Sequence, residues 1–303
     1  MTDSSARPAR CALHAALLLV LLAGCGEGTA GSLTLRANGS NEARAGIAAD
    51  ATADGWAVEF DHAVMAIRDV RRATMAGEDA AVQVDPVVVE LVPEPSFVFE
   101  LEGIPAQRWD RFSYHLAPPT ADTRSVGVDE GILERMRDAG WSTYYEGRLL
   151  APPGTVDAEG EAVSVIAFEF GIPVRVDYAF CVAGNDGTDG VVIPVNSRTD
   201  YEITWHTTHL FFDSFVENSA LRVEPLAALW DGEGPLTIDD LDVPLGGLRA
   251  FDGGPLLDDE GNPVIYIPGM TGADTLAEFV IKGRPGHFNG LEGFCMTELE
   301  VIE

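Results

Sequence analysis

Two histidines and an aspartate lie close together in the stretch YEITWHTTHLFFD at positions 201–213. His206 and His209 are three residues apart, and Asp213 follows four residues later. Imidazole and carboxylate groups are protein ligands for zinc, copper and related transition metals. Large apolar residues alternate with polar ones just before His206, which predicts a strand that ends where the histidines begin. The three side chains could converge on one ion there. The alternative is a pair of hydrogen-bonded histidines, because HTTH lacks the glutamate of the HExxH zinc proteases.

A second set of ligand-type residues lies in DGEGPLTIDD at 231–240, which resembles an EF-hand calcium loop. With Gly234 at the sixth position the loop covers 229–240, and four residues fall at ligand positions: Asp231, Glu233, Thr237 and Asp240. The first position falls on Leu229, which cannot bind a cation, and the final aspartate is shorter than the bidentate glutamate that such loops use. We therefore expect at most a weak or vestigial calcium site.

The N-terminus predicts export and lipidation. A basic start is followed by an apolar run at 12–22 that is too short for a comfortable membrane span and typical of a signal peptide. The run ends in LAGC, which resembles the bacterial lipoprotein box and implies removal of residues 1–24 and acylation of Cys25. Gly26 in place of aspartate favours an outer-membrane address, on the periplasmic or the surface face. Residues 25–32 would form the lipidated tether; a plain secretory leader or an uncleaved anchor is the alternative.

The composition limits the possible partners. Without residues 1–24, the chain has 17 basic and 48 acidic residues, a formal charge of −31. This charge repels nucleic acid and anionic lipid headgroups, so we expect the membrane to be contacted through the acylated Cys25 and no nucleic acid to bind. It favours cations, although high acidity also serves simply to keep a protein soluble.

Only two cysteines remain once Cys11 leaves with the leader and Cys25 carries lipid. In an exported chain this predicts a disulfide between Cys181 and Cys295. The alternative is two free thiols or thiolate ligands.

The pattern from Leu33 onward predicts the elements that must position these groups. Short apolar or alternating runs are separated by Gly, Pro and Asp turns, which indicates a mainly β fold, an antiparallel β-sandwich over 33–217. Residues 218–303 are richer in turns and short helical runs, and we expect a short-helix and loop segment packed on the sandwich. One helix is expected at Asp129–Ala139. A phase shift at His62 indicates a bulge in a long strand.

Four motifs occur in a fixed order: DGWAVEF at 54–60, HTTHLFFD at 206–213, DGEGPLTIDDL at 231–241 and GHFNGLEGFC at 286–295. In this order they resemble those of uncharacterised bacterial lipoproteins, which carry an HGDH motif, a fuller calcium-like loop and a GHFxGEGxC ending. The resemblance implies that His206, His209, Asp213 and His287 share one metal site, holding zinc or copper. This chain has Thr207 and Thr208 where that family has Gly and Asp, so that Asp ligand is absent.

We therefore expect a lipid-anchored cell-envelope protein that binds a transition metal through a His/Asp cluster. The alternative is a metal-free interaction or scaffold lipoprotein in which the histidines are structural. His62 and His115 are possible additional ligands or ordinary strand histidines. An enzyme is less favoured, and a hydrolase is a distant third possibility. The chain has no GxSxG elbow, Walker loop or Rossmann fingerprint.

Overall fold

The computed structural model describes residues 29–74, 79–83, 85–92, 96–182, 191–216, 219–283, 286–288 and 294–302. The strands, in chain order, are β1 (Ala30–Gly39), β2 (Ala57–Ala73), β3 (Asp79–Gln83), β4 (Val87–Glu90), β5 (Ser96–Pro105), β6 (Arg108–Trp109), β7 (Arg111–Leu116), β8 (Arg124–Val126), β9 (Thr143–Leu150), β10 (Val165–Ile172), β11 (Val174–Val182), β12 (Val191–Val192), β13 (Arg198–Trp205), β14 (Leu236–Thr237), β15 (Gly286–Phe288) and β16 (Phe294–Val301). The α-helices are α1 (Asn41–Ala45), α2 (Glu130–Ala139), α3 (Glu224–Ala227) and α4 (Leu276–Lys282).

The predicted mainly β fold is confirmed. A four-stranded sheet has the order β15-β13-β1-β5, and a ten-stranded sheet follows β14-β10-β9-β2-β7-β11-β16, with β3 and β4 paired to β2 and β8 paired to β4. Most strand pairs are antiparallel, as expected, but β1–β13, β4–β8 and β10–β14 are parallel. These three pairs join strands that are far apart in the chain, which a short hairpin cannot connect, so their direction was not set by turn residues.

The core lies between the two sheets. Strand β1 buries Leu33, Leu35 and Ala37, and β13 buries Ile203 and Trp205, all of which belong to one apolar cluster with the inner face of the large sheet. On that face β7 and β10 alternate regularly between buried and more exposed residues. Since alternate residues of a strand point to opposite faces, this is the pattern expected of packed sheets.

Helix α2 covers part of the outer face of the large sheet. Its Ile132, Leu133 and Met136 pack in a separate apolar cluster with residues of β2, β4 and β9. The Asp129 side chain accepts a hydrogen bond from Gly131 N at 2.8 Å, and Gly140 ends the helix in the left-handed conformation at φ 70°. The helix expected from the sequence is thus confirmed, with Asp129 as its N-cap.

The long strand β2 has the bulge that the phase shift predicted. Its pairing with β9 changes register between Phe60 and His62. The extra residue lets β2 present one set of side chains to the core before the bulge and the other set after it.

The last third of the chain is part of the sandwich. Strands β14 and β16 lie at opposite edges of the large sheet, and β15 lies at an edge of the small one. The predicted disulfide between Cys181 and Cys295 is present and links β11 to β16 across 114 residues. The C-terminal segment therefore contributes strands to both sheets, in addition to short helices and loops. None of the helices in the described ranges is both long and apolar enough to cross a membrane.

Candidate functional site

The two central histidines lie where β13 ends. Residues Thr207–Phe211 form a 3-10 helix, and His206 caps its start. Side chains three residues apart are eclipsed in a 3-10 helix, so the HxxH spacing stacks the rings of His206 and His209 on the same side. Their ring centroids are 5.8 Å apart, with an interplanar angle of 21°. The structure thus brings these two predicted residues together.

The His209 ring is fixed by a residue from α4's C-terminal end. Its Nδ1 lies 3.2 Å from the carbonyl oxygen of Gly283. Because a carbonyl oxygen can only accept, Nδ1 carries the proton in this contact, and Nε2 is the acceptor nitrogen of the neutral ring. A Cβ at position 283 would lie 3.2 Å from the His209 carbonyl oxygen, so glycine allows this close approach.

His206 is buried, with 7% of its surface exposed, and it borders a polar recess of about 240 Å³. The recess lies at the C-terminal ends of β1 and β13, beside α1, and is lined by Asn38, Ser40, Asn41, Glu42, Arg44, Glu202, Thr204 and His206. One oxygen of Glu202 accepts hydrogen bonds from Asn38 at 3.1 Å and from Thr204 at 3.3 Å. This recess is how solvent reaches the neighbourhood of His206. The sequence did not indicate it, because it joins positions more than 160 residues apart.

Beneath the histidines, β13 is fastened to the large sheet. Trp205 donates from Nε1 to the hydroxyl of Tyr145 at 2.5 Å, and its ring centroid lies 6.4 Å from that of Tyr178. Tyr145 is 1% exposed, and burial raises the pKa of its hydroxyl above the usual range. The hydroxyl therefore stays protonated, and the end of β13 rests on a rigid aromatic layer.

Asp213 is placed apart from this pair by its contacts. Its carboxylate accepts from Arg222 Nε at 2.9 Å and from Ala220 N at 2.9 Å, and both side chains of the ion pair are nearly buried. A carboxylate so engaged ties the chain after the 3-10 helix to residues 220–222. The geometry gives Asp213 a structural role, in place of the ligand role expected from its spacing.

The remaining predicted residues of this site lie partly or wholly outside the described part of the chain. Strand β15 pairs antiparallel with β13, and its residue 287 is opposite Thr204, two positions before His206. The fold thus brings the backbone of residue 287 next to the histidine pair. The structure does not describe the side chain of His287. Cys25, the predicted lipidation residue, also lies outside the described residues.

The loop at 229–240 uses its acidic side chains on its own backbone. Asp231 accepts from Glu233 N at 2.9 Å, and Asp240 accepts from both Thr237 N at 2.7 Å and Thr237 Oγ1 at 2.8 Å. Gly232 and Gly234 have φ values of 91° and 62°, as a tight turn requires. The EF-hand-like residues form two local turns instead of a common cage.

His62 and His115 each pair with a carboxylate on a neighbouring strand. His62 Nδ1 lies 2.8 Å from Glu90 Oε2, and His115 Nδ1 lies 2.6 Å from Asp177 Oδ1. Both are cross-strand contacts on the large sheet, remote in the chain from β13. Within the described ranges, no three His, Cys, Asp or Glu side chains lie close enough together to hold a metal ion.

A pair of half-buried acids, Asp54 and Glu224, supports the segment after Arg222, and the sequence did not predict it. Asp54 accepts from Val223 N at 2.6 Å and Glu224 N at 2.8 Å. Burial raises the pKa of Asp54, against the effect of these hydrogen bonds, and burial followed by the charge of Asp54 raises the pKa of Glu224. The DGW motif at 54–56 was the one sequence feature that singled out Asp54, and it did not indicate that Asp54 contacts residues 223 and 224.

The fold and the site describe a mainly β protein with a histidine pair at a strand end. No protein-family model matches the chain, and no curated protein matches it. Among solved structures it is similar to MbnP from Methylosinus trichosporium, at 11% identity, over 61% of this chain and 78% of that chain, with a TM-score of 0.32. A likeness this distant carries no information about activity, so the function must be argued from this chain's own residues.

Proposed function

We propose that this chain is a lipid-anchored cell-envelope protein that binds one transition-metal ion, zinc or copper, through His206 and His209. The observation that carries the proposal is the facing pair of rings with centroids 5.8 Å apart. Two imidazoles bound to one ion through Zn–N bonds of about 2.0–2.1 Å have ring centres at most about 6.4 Å apart. The observed separation lies within that reach.

The surroundings of the pair support the same reading. Histidines that bind metals commonly donate their other ring N–H to a backbone carbonyl, which fixes the tautomer, and His209 makes this contact with Gly283. The polar recess beside His206 offers a route for a hydrated cation, and the charge of −31 favours cations. Two imidazoles alone give a weak site, so His287 on the adjacent strand is proposed as the third ligand. Asp213 is left out because Arg222 holds it.

Calorimetric titration of the purified protein with Zn²⁺ and Cu²⁺, after removal of metals by a chelator, tests the metal site. We expect one ion per chain, with His206→Ala and His209→Ala each weakening binding by at least about tenfold. His115→Ala is the control, since it removes a histidine that is half-buried like His209 and is paired with Asp177. His287→Ala decides whether the tail contributes.

The alternative, a metal-free interaction or scaffold lipoprotein, is favoured by the lack of a three-residue ligand group in the described ranges. It predicts no heat on titration and no change in melting temperature with either ion. Equal affinity in the His206→Ala, His209→Ala and His115→Ala variants would also refute the proposed site.

Lipid anchoring is tested separately. Mass spectrometry of the mature N-terminus should find an acylated Cys25, and a Cys25→Ser variant should appear in the soluble fraction of the envelope. An unmodified Cys25 would remove the membrane address without touching the metal proposal.

A further inference from the structure

A second recess, of about 320 Å³, lies among the turns of residues 245–266, and neither His206 nor His209 lines it. Its lining residues are Leu245, Gly246, Leu248, Arg249, Pro255, Leu256, Pro263, Val264, Ile265 and Tyr266. With one exception these residues are apolar, aromatic or glycine. Small-molecule sites have this character, with an apolar lining and a few polar groups that orient the ligand.

Backbone hydrogen bonds hold the recess open. Two narrow turns form it, one closed by the bridge between Arg249 and Pro255 and the other by the bridge between Leu257 and Pro263. Val264 N also donates to the carbonyl of Leu256 at 3.1 Å. Since backbone contacts and prolines fix the walls, the recess exists before any ligand arrives, and little conformational entropy is lost on binding.

The floor and the rim differ in exposure. Leu248, Leu256 and Tyr266 are buried and form the floor, whereas Ile265 is 73% exposed at the rim. Leu257, in the adjoining turn, is 44% exposed. Solvent-facing aliphatic side chains around an apolar recess mark a surface that gains free energy when it is covered.

Arg249 is the one charged residue of the lining, and it is exposed. In the described part of the chain it forms no ion pair, although acidic residues are abundant. The neighbouring carboxylates are used within their own turns: Asp252 accepts from Gly254 N at 2.8 Å, and Asp258 accepts from Glu260 N at 3.0 Å and Asn262 N at 2.8 Å. The guanidinium is therefore available to a ligand.

We propose that this recess binds a free aliphatic monocarboxylate, with its hydrocarbon chain against Leu248 and Leu256 and its carboxylate on Arg249. The aliphatic and aromatic side chains of the lining favour a hydrocarbon chain over a sugar or a nucleotide, whose polar groups would find no partners against them. A guanidinium binds a carboxylate through paired hydrogen bonds, which distinguishes an acid from an alcohol of equal length. Repulsion from the more distant acidic residues is screened beyond about 8 Å at physiological salt.

Gly246 and Gly247 provide a matched pair of variants. Gly246 lines the recess, and a Cβ added there meets no atom within 4 Å, so Gly246→Leu adds a bulky side chain to the wall of the recess without strain. Gly247 does not line it, and its Cβ would make an ordinary contact of 3.7 Å with Val243. Gly247→Leu is therefore the control for the same turn.

Calorimetry of the purified protein at physiological salt, with decanoate below its micelle concentration and decanol for comparison, tests the proposal. We expect decanoate to bind about tenfold more tightly than decanol, and Arg249→Gln to remove that difference. Gly246→Leu should weaken decanoate binding, while Gly247→Leu and His115→Ala should leave it unchanged.

Three results would overturn the proposal. One is the absence of decanoate binding at millimolar concentration. Another is decanoate binding that Gly246→Leu leaves intact, which would place the ligand elsewhere. Binding of phosphatidylcholine vesicles that requires Ile265, without binding of free decanoate, would make the recess a membrane contact and would also refute it. A chelator is present throughout, so the outcome does not depend on the metal site.

Discussion

The end of β13 and the loop at 229–240 both carry residues of metal-ligand type at spacings that suggest a site. In the structure these residues have different kinds of partner. At β13, a 3-10 turn stacks His206 on His209, and residues from distant parts of the chain fix the neighbourhood through Gly283, Arg222 and Tyr145. In the loop, the carboxylates accept hydrogen bonds from their own turns. The residues at the end of β13 are held by contacts with other segments of the chain, whereas those of the loop are held by contacts within the loop.

This difference shows what a spacing can predict. A carboxylate next to unsatisfied backbone N–H groups is most easily used by them, because such a contact orders few additional residues. An imidazole has no equivalent local use in a 3-10 turn, so its ring nitrogens remain for remote partners. Ligand spacing is therefore stronger evidence for histidines than for aspartates in a glycine-rich loop.

The largest effect should come from breaking the buried ion pair beside the histidines. Asp213→Ala leaves Arg222, which is 8% exposed, without its carboxylate, and we expect the free energy of unfolding to fall by about 3 kcal/mol. Asp231→Ala, in the exposed loop, removes only a local turn contact and should change it by less than about 0.5 kcal/mol. Urea denaturation measures both. Equal effects would mean that the two regions are not supported differently.

More of the fold than of the candidate site could be predicted from the sequence. The α2 helix with its Asp129 cap, the bulge at His62 and the Cys181–Cys295 disulfide all follow from local patterns or from counting cysteines. The Asp213–Arg222 pair does not, because nothing in the spacing of HTTHLFFD shows that an arginine nine residues later reaches back. The parallel pairing of β1 with β13 joins residues 160 or more positions apart, and it alone creates the recess beside His206.

A second comparison uses the two tryptophans that donate hydrogen bonds in these regions. Trp205→Phe removes the contact with the buried Tyr145 hydroxyl and should destabilise the protein by about 1–3 kcal/mol. Trp230→Phe removes a contact with the carbonyl of Gly234, in its own exposed loop, and should have a smaller effect. Thermal unfolding followed by far-ultraviolet circular dichroism, which does not rely on tryptophan fluorescence, measures both. Only Trp205→Phe should also weaken metal binding, since His206 follows it directly.

The half-buried acids Asp54 and Glu224 make the stability of the fold pH-dependent. The folded-state pKa of Asp54 is raised above its ordinary value of 3.8, so the folded chain binds more protons than the unfolded chain above that pH. The free energy of unfolding from this group therefore falls as the pH rises from about 3.8 through the raised pKa. Glu224 contributes in the same direction.

Asp54→Asn removes this titration but keeps an oxygen to accept from Val223 N and Glu224 N. Urea denaturation between pH 4 and 7 should show a shallower loss of stability with rising pH in the variant than in the wild type. A steeper slope in the Asp54→Asn variant would contradict the assigned sign.

The smallest effect is expected in the calcium-like loop, and it separates a local cap from a cation site. Asp240→Ala removes the acceptor for Thr237 N and Oγ1, an arrangement similar to a capping box, and should lower the free energy of unfolding by about 0.5–1 kcal/mol. The loss should be the same with millimolar Ca²⁺ as with a chelator, because the carboxylate already serves the backbone. A loss that appears only in the presence of Ca²⁺ would show that the loop binds the ion, and the contrast with the end of β13 would no longer hold.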